Sequence, residues 1–338
     1  MLYWITAAVL CFPLLVIASI TGIAFRLMVQ MKVQTEDRIF RVVEQQGQYR
    51  RRQYTELHKK SVSVTSRDGL KLHGVLVEPF PGSGRWMIIV HGYTASHAAS
   101  AQFADMFIEK GFNILLIDQR RHGKSEGRFT TYGFHEKYDV DAWVHWLLGS
   151  RGSAIDIGLH GLSLGGGTVL EYLAIAHPSV RFVIADCPYS DLTELMAYQM
   201  TVLNHIPARP FLQLVNARIY RRAGFRLEDV SPIRAVRSSR LPVLFIHGTA
   251  DTYVPTWMSE AMYEVKPEPK RLFLVEGGLH ANAYTAAPVP YRLEVQSFVD
   301  QVMTMDRPES ASESRQPQES MNRMKNALLP AAASLPDA

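Results

Sequence analysis

The sequence predicts an α/β fold: a mostly parallel, eight-stranded sheet with flanking helices and a helical insertion over one end. Three observations predict it. Short apolar, β-branched runs recur between residues 61 and 275, helix-length stretches separate the later runs, and a Gly-Leu-Ser-Leu-Gly turn at 161–165 occupies one junction between them. Strand followed by helix, repeated, builds βαβ units and therefore a parallel sheet.

The predicted strands are 61–65, 70–77, 86–90, 113–117, 155–159, 182–185, 243–246 and 272–275. The first two form an antiparallel hairpin around Arg67-Asp68-Gly69. The later runs are almost continuously apolar, as strands buried on both faces must be. Predicted helices cover 97–110, 134–148, 164–177, 256–265 and 291–303. The chain between Asp186 and Leu241 breaks this rhythm. Its helix-like spacing, with Pro207 and Pro210 as breakers, reads as a lid at about 192–230. The competing reading is a packing excursion that never meets a substrate.

The N-terminus is read separately. No charged side chain precedes Arg26. As a helix, 25 residues reach about 37 Å, enough for a hydrocarbon core of ~30 Å. Residues 26–60 hold nine Lys/Arg, and the positive-inside rule then puts the bulk of the chain in the cytoplasm. The expected organisation is a transmembrane anchor at 1–25, a juxtamembrane linker at 26–59, the α/β domain at 60–304 and a disordered tail at 305–338. A cleaved signal peptide and a buried core helix are the two alternatives to the anchor.

Composition narrows the function. Hydrophobic residues make up 47% of the 338 and charged ones 20%, which excludes bulk disorder. A net charge of +4 does not argue for nucleic acid. Cys11 and Cys187 are the two cysteines, so neither a disulfide framework nor a CxxC metal site is expected. No His/Asp/Glu set has metal-ligand spacing. No metal and no cofactor is expected.

The chemistry is carried by Gly161-Leu162-Ser163-Leu164-Gly165, placed after a strand and before a helix. A sharp turn there forces unfavourable backbone angles on Ser163, so its flanks must be glycine, and the hydroxyl projects above the sheet edge. A serine nucleophile needs a base held by an acid. Asp251 follows the run at 243–246 and His280 follows the run at 272–275, giving the chain order Ser163, Asp251, His280. Asp186, also at a strand end, is the rival acid. An oxyanion hole needs two amide donors. Leu164 N–H and Tyr93 N–H, the latter beyond the strand at 86–90, are the candidates; a plain strand-end turn at His91-Gly92 is the alternative. The polar turn at 118–125 matches no phosphate-binding pattern and reads as a brace for the rim of the site.

Over residues 60–304 the chain resembles the α/β-hydrolase superfamily. The resemblance rests on His91-Gly92-Tyr93, Asp118 with His122-Gly123-Lys124-Ser125, Gly161–Gly165, His247 with Asp251 and Val254-Pro255, and His280. It is similar to membrane-anchored bacterial members related to the serine aminopeptidase-like and depalmitoylase-like groups. That implies a serine hydrolase of carboxylic esters or thioesters, acting on a small acyl or lipid-like substrate. An aminopeptidase or prolyl-peptidase-like amide hydrolase is the alternative, with Glu194, Glu228 and Asp229 available to hold a substrate amine. A non-catalytic binding protein on the same scaffold is the third reading.

Overall fold

The computed structural model describes residues 2–305 apart from Gln48 and Ile206. The eight strands are β1 (Lys59–Thr65), β2 (Lys71–Val77), β3 (Arg85–Val90), β4 (Asn113–Ile117), β5 (Asp156–Leu162), β6 (Val180–Asp186), β7 (Val243–Gly248) and β8 (Lys270–Val275). They lie in the order β1-β2-β4-β3-β5-β6-β7-β8. β1 and β2 pair antiparallel, β2 pairs antiparallel with β4, and every other pairing is parallel.

Helices precede, separate and follow the strands. They are α1 (Leu2–Val29), α2 (Glu36–Gln45), α3 (Arg51–Glu56), α4 (His97–Ser100), α5 (Ala104–Ile108), α6 (Glu136–Arg151), α7 (Leu164–Tyr172), α8 (Leu192–Tyr198), α9 (Phe211–Ala223), α10 (Pro232–Ser238), α11 (Trp257–Val265), α12 (Ala283–Ala286) and α13 (Pro288–Met303).

The two-residue period of a strand divides the core into two layers. On β3, Met87 and Ile89 face a cluster that includes Phe40 of α2, Phe107 of α5 and Phe298 of α13. Trp86, Ile88 and Val90 face the opposite cluster, with Trp143 of α6, Val169 of α7 and Met262 of α11. Each such fully buried side chain contributes ~1.5–3 kcal/mol of transfer free energy.

The strand order also locates the site. From β3 the chain crosses to β4 on one side, then returns past β3 to β5 on the other. Where the direction of winding reverses, the loops at the strand carboxyl ends part and leave a crevice. The loops after β3 and β5 carry Tyr93 and Ser163.

The expected transmembrane anchor is overturned. Among the described residues, no helix is long and apolar enough to cross a membrane. The end of the apolar run is spent on the protein itself: Thr21, Phe25 and Val29 are buried. Phe25 and Val29 share a cluster with Leu212, Val215 and Ile219 of α9. Arg218 Nη1 of α9 donates to Ala18 O at 3.0 Å. The membrane placement, and the orientation drawn from the flanking charges, lose their basis with the anchor.

Residues 26–59 carry α2 and α3, whose Ile39, Phe40, Val43 and Tyr54 are buried in the first core cluster. The expected disordered tail lies, but for Met305, outside the described residues.

Candidate active site

Ser163 stands between β5 and α7 with φ 54° and ψ −111°, a strained pair for any side-chain-bearing residue. Close backbone packing maintains it. A Cβ on Gly161 would lie 2.2 Å from Gly165 O, and one on Gly165 would lie 2.2 Å from Val90 O. Only glycine fits either place. The Ser163 N–H donates to Asp186 O at 2.7 Å, pinning the turn to the neighbouring strand.

The structure brings the three sequence-predicted side chains together. Ser163 Oγ lies 2.8 Å from His280 Nε2, and His280 Nδ1 lies 2.7 Å from Asp251 Oδ2. Asp251 also accepts Tyr253 N–H and Val254 N–H on Oδ1, both at 2.9 Å. His247 Nε2 lies 3.2 Å from Oδ2 and 2.8 Å from Val254 O. Burial pushes the Asp251 carboxyl up, but the hydrogen bonds from His247 and His280 outweigh it and hold the group well below the usual carboxylate range. Asp251 is therefore an anion facing the His280 ring.

Asp186, the rival acid, points elsewhere. Its Oδ2 accepts the Tyr291 hydroxyl at 2.9 Å, and that hydroxyl lies 3.0 Å from His160 Nε2. Its Oδ1 is buried without a partner. Burial raises the Asp186 carboxyl to about 6.

Tyr93 and Leu164 both line the cavity that contains Ser163. Neither backbone N–H is engaged by another backbone group among the described residues. The turn at 118–125 supports the Tyr93 loop from behind. Gln119 Nε2 donates to His91 O at 2.8 Å and Gln119 N–H to His91 Nε2 at 3.0 Å. Thr94 N–H donates to His122 Nε2 at 3.2 Å. Burial, and then the neighbouring His122, push His91 down to about 3, so it stays neutral and accepts. Asp118 anchors the same turn, accepting from His97 N–H at 2.7 Å and Lys124 N–H at 3.0 Å and facing His73 Nδ1 at 2.8 Å and His97 Nδ1 at 2.9 Å. With both carboxylate oxygens already engaged, this His-Asp-His group is a buried hydrogen-bond hub and not an open cation site.

The cavity measures about 200 Å³. Tyr132, Tyr189 and Tyr253 give it aromatic walls, and Leu195, Met196 and Gln199 come from the insertion at 192–230. Gln199 Nε2 donates to Tyr253 O at 3.0 Å, tying that insertion to the Asp251 loop. Sequence reasoning named none of Tyr132, Tyr189 and Tyr253, nor Leu27 and Met28 of α1. Leu27 and Met28 follow Arg26, just past the uncharged run, and no local pattern marks them as facing a pocket.

Residues 46–224 match the X-Pro dipeptidyl-peptidase (S15) family. The chain is 35% identical over 282 residues to the protein YqkD of Bacillus subtilis, covering 82% of this chain and 92% of that one. It is 28% identical over 215 residues to a thiohydrolase of Aspergillus aculeatus, covering 62% and 67% of the two chains. An esterase of Pyrococcus furiosus superposes with a TM-score of 0.61 at 24% identity, over 74% of this chain and 95% of that one. That likeness establishes the α/β-hydrolase fold.

Proposed function

This chain belongs to the X-Pro dipeptidyl-peptidase (S15) family of α/β hydrolases, and from that premise we propose a serine hydrolase that cleaves carboxylic ester or thioester bonds of small acyl substrates. The observation that carries the proposal is the Ser163–His280–Asp251 alignment opening on a cavity whose described lining residues include no carboxylate.

His280 Nε2 takes the Ser163 proton as Oγ attacks the substrate carbonyl carbon. Asp251 holds the ring in the productive tautomer and stabilises the imidazolium that forms. Leu164 and Tyr93 N–H groups receive the negative charge that develops on the carbonyl oxygen. His280 then protonates the departing alcohol or thiol. Water, activated by the same imidazole, hydrolyses the acyl-enzyme and restores the serine.

The leaving group is argued from charge. A peptidase that reads a free N-terminus needs an anion for the ammonium, because burying an unpaired charge is costly. The three acids of the insertion do not line the cavity. Glu194 is exposed, Glu228 accepts from Asn216 Nδ2 at 2.7 Å, and Asp229 accepts Arg226 N–H at 2.8 Å. The likeness to a thiohydrolase supports including thioesters.

The second reading, favoured by the family match itself, is cleavage of X-Pro amides. Side-by-side turnover of acyl nitrophenyl esters, acyl thioesters and X-Pro nitroanilides separates the two. Faster turnover of the amide overturns the ester reading. A wild-type protein that a fluorophosphonate does not label at Ser163 leaves a binding protein on a hydrolase scaffold.

A further inference from the structure

We propose that residues 27–34, at and just beyond the end of α1, are a working part of the active site: Leu27 and Met28 form one wall of the acyl pocket, and Gln34 positions the loop that offers the Tyr93 amide. The inference rests on the ester-hydrolase reading above and deepens it.

The contacts run along the whole segment. The Tyr93 hydroxyl donates to Leu27 O at 2.5 Å and lies 3.0 Å from Met28 O. The Tyr132 hydroxyl donates to Met28 O at 2.8 Å. Thr130 N–H donates to Val29 O at 3.0 Å. Arg121 Nη2 reaches Gln30 O at 2.8 Å and Met31 O at 3.0 Å. The last carbonyls of a helix lack intrahelical donors, and here groups of the active-site rim supply them.

Gln34 makes the decisive contact. Its N–H donates to Thr94 O at 2.9 Å and its Nε2 to Thr94 Oγ1 at 3.1 Å. Thr94 has φ 61°, an outlier for a β-branched residue. Such a conformation is strained and persists only while its surroundings over-determine it. Gln34 from one side and His122 from the other do so. Thr94 follows Tyr93 directly, so relaxation of Thr94 turns the Tyr93–Thr94 peptide, displaces Tyr93 Cα and through it shifts the Gly92–Tyr93 peptide that carries the Tyr93 N–H. That donor acts on charge present only in the transition state, so its misplacement lowers kcat and spares KM.

The pocket half of the inference has its own signature. Leu27 and Met28 share the cavity with Ser163, so shortening Met28 lengthens the acyl chain that fits. A methylene of pocket fit is worth roughly 10–200-fold in selectivity.

The test uses the full-length chain with a series of nitrophenyl acyl esters of increasing chain length. Gln34→Ala is expected to lower kcat by about 10–100-fold, with KM within about twofold and a melting temperature close to wild type. Met28→Ala is expected to move the optimum of kcat/KM to longer acyl chains, by about tenfold in the ratio of long to short. Gln34→Ala with kcat unchanged, or with kcat falling only in step with KM or with stability, overturns the inference. So does an unchanged chain-length profile in Met28→Ala. A wild type that turns over no acyl ester and takes no fluorophosphonate overturns the underlying reading as well, and the two failures are told apart by the wild-type measurement alone.

Discussion

The Ser163 hydroxyl lies 2.8 Å from Nε2 of His280, although 117 positions of chain separate them. Three parallel strands, β6, β7 and β8, and the turns that leave them close that interval. A contact of this span has no local cause. It exists because the sheet places the carboxyl ends of β5 and β8 along one edge.

Replacing the hydroxyl tests the chemistry most directly. Ser163→Ala is expected to lower acyl-ester turnover by about 10⁴–10⁶-fold and to abolish fluorophosphonate labelling. Far-ultraviolet circular dichroism should remain that of the wild type. Turnover within tenfold of wild type would overturn the nucleophile.

The two candidate acids give opposite expectations. Asp251→Asn leaves an amide facing His280 Nδ1 and is expected to cost about 10⁴ in kcat, through the wrong imidazole tautomer. Asp186→Asn alters a group that contacts Tyr291 and is expected to keep kcat within a few-fold. Steady-state kinetics of the two variants on one ester decides the assignment.

Asp186 also imposes a pH dependence on stability. Its carboxyl is raised to about 6 in the folded state by burial, against an ordinary value near 3.9. The folded state therefore binds this proton more tightly than the unfolded chain does, and stability from this group falls as pH rises from about 4 to about 6. Asp186→Asn removes that loss. Denaturant unfolding of both proteins at pH 4 and pH 7 is expected to shift in favour of the variant at the higher pH, by up to ~3 kcal/mol. An equal offset at both values would contradict it.

Asp118 carries the opposite sign. Burial raises its carboxyl, but His73 and His97 outweigh this and hold it well below the ordinary range. Its contribution is present above about pH 4 and is lost as pH falls below the carboxylate range. Asp118→Asn is expected to destabilise the fold by ~3–5 kcal/mol at pH 7, because partners built around an anion are left mismatched in the interior. Thermal melts checked at pH 7 and about pH 2.5 should show the deficit shrinking at the lower pH.

The parts of this molecule that could be read in advance share a physical cause. Strands such as β3 and β4 are buried on both faces, so Trp86–Val90 and Ile114–Ile117 are apolar throughout and the runs stand out. The turn at Gly161–Gly165 is legible because two carbonyls, Gly165 O and Val90 O, leave no room for a side chain. The N-terminal helix misled for the converse reason. Hydropathy records that Phe25 and Val29 avoid water, but not that Leu212 and Val215 of α9 are what they meet. The contacts of residues 27–31 with the rim are made largely through carbonyl oxygens, which every residue possesses. The Asp118 hub joins His73 and His97, 45 and 21 positions away, with no local pattern to announce it.

In the proposed site both groups that receive the negative charge, at Tyr93 and Leu164, belong to the main chain. Short of proline, which lacks an N–H, no exchange of a single side chain can delete such a donor; it can only shift the peptide plane that carries it. Lineages that diverge in what they hydrolyse must then do so by recarving the walls, while the electrostatic half of the machinery is inherited with the polypeptide itself.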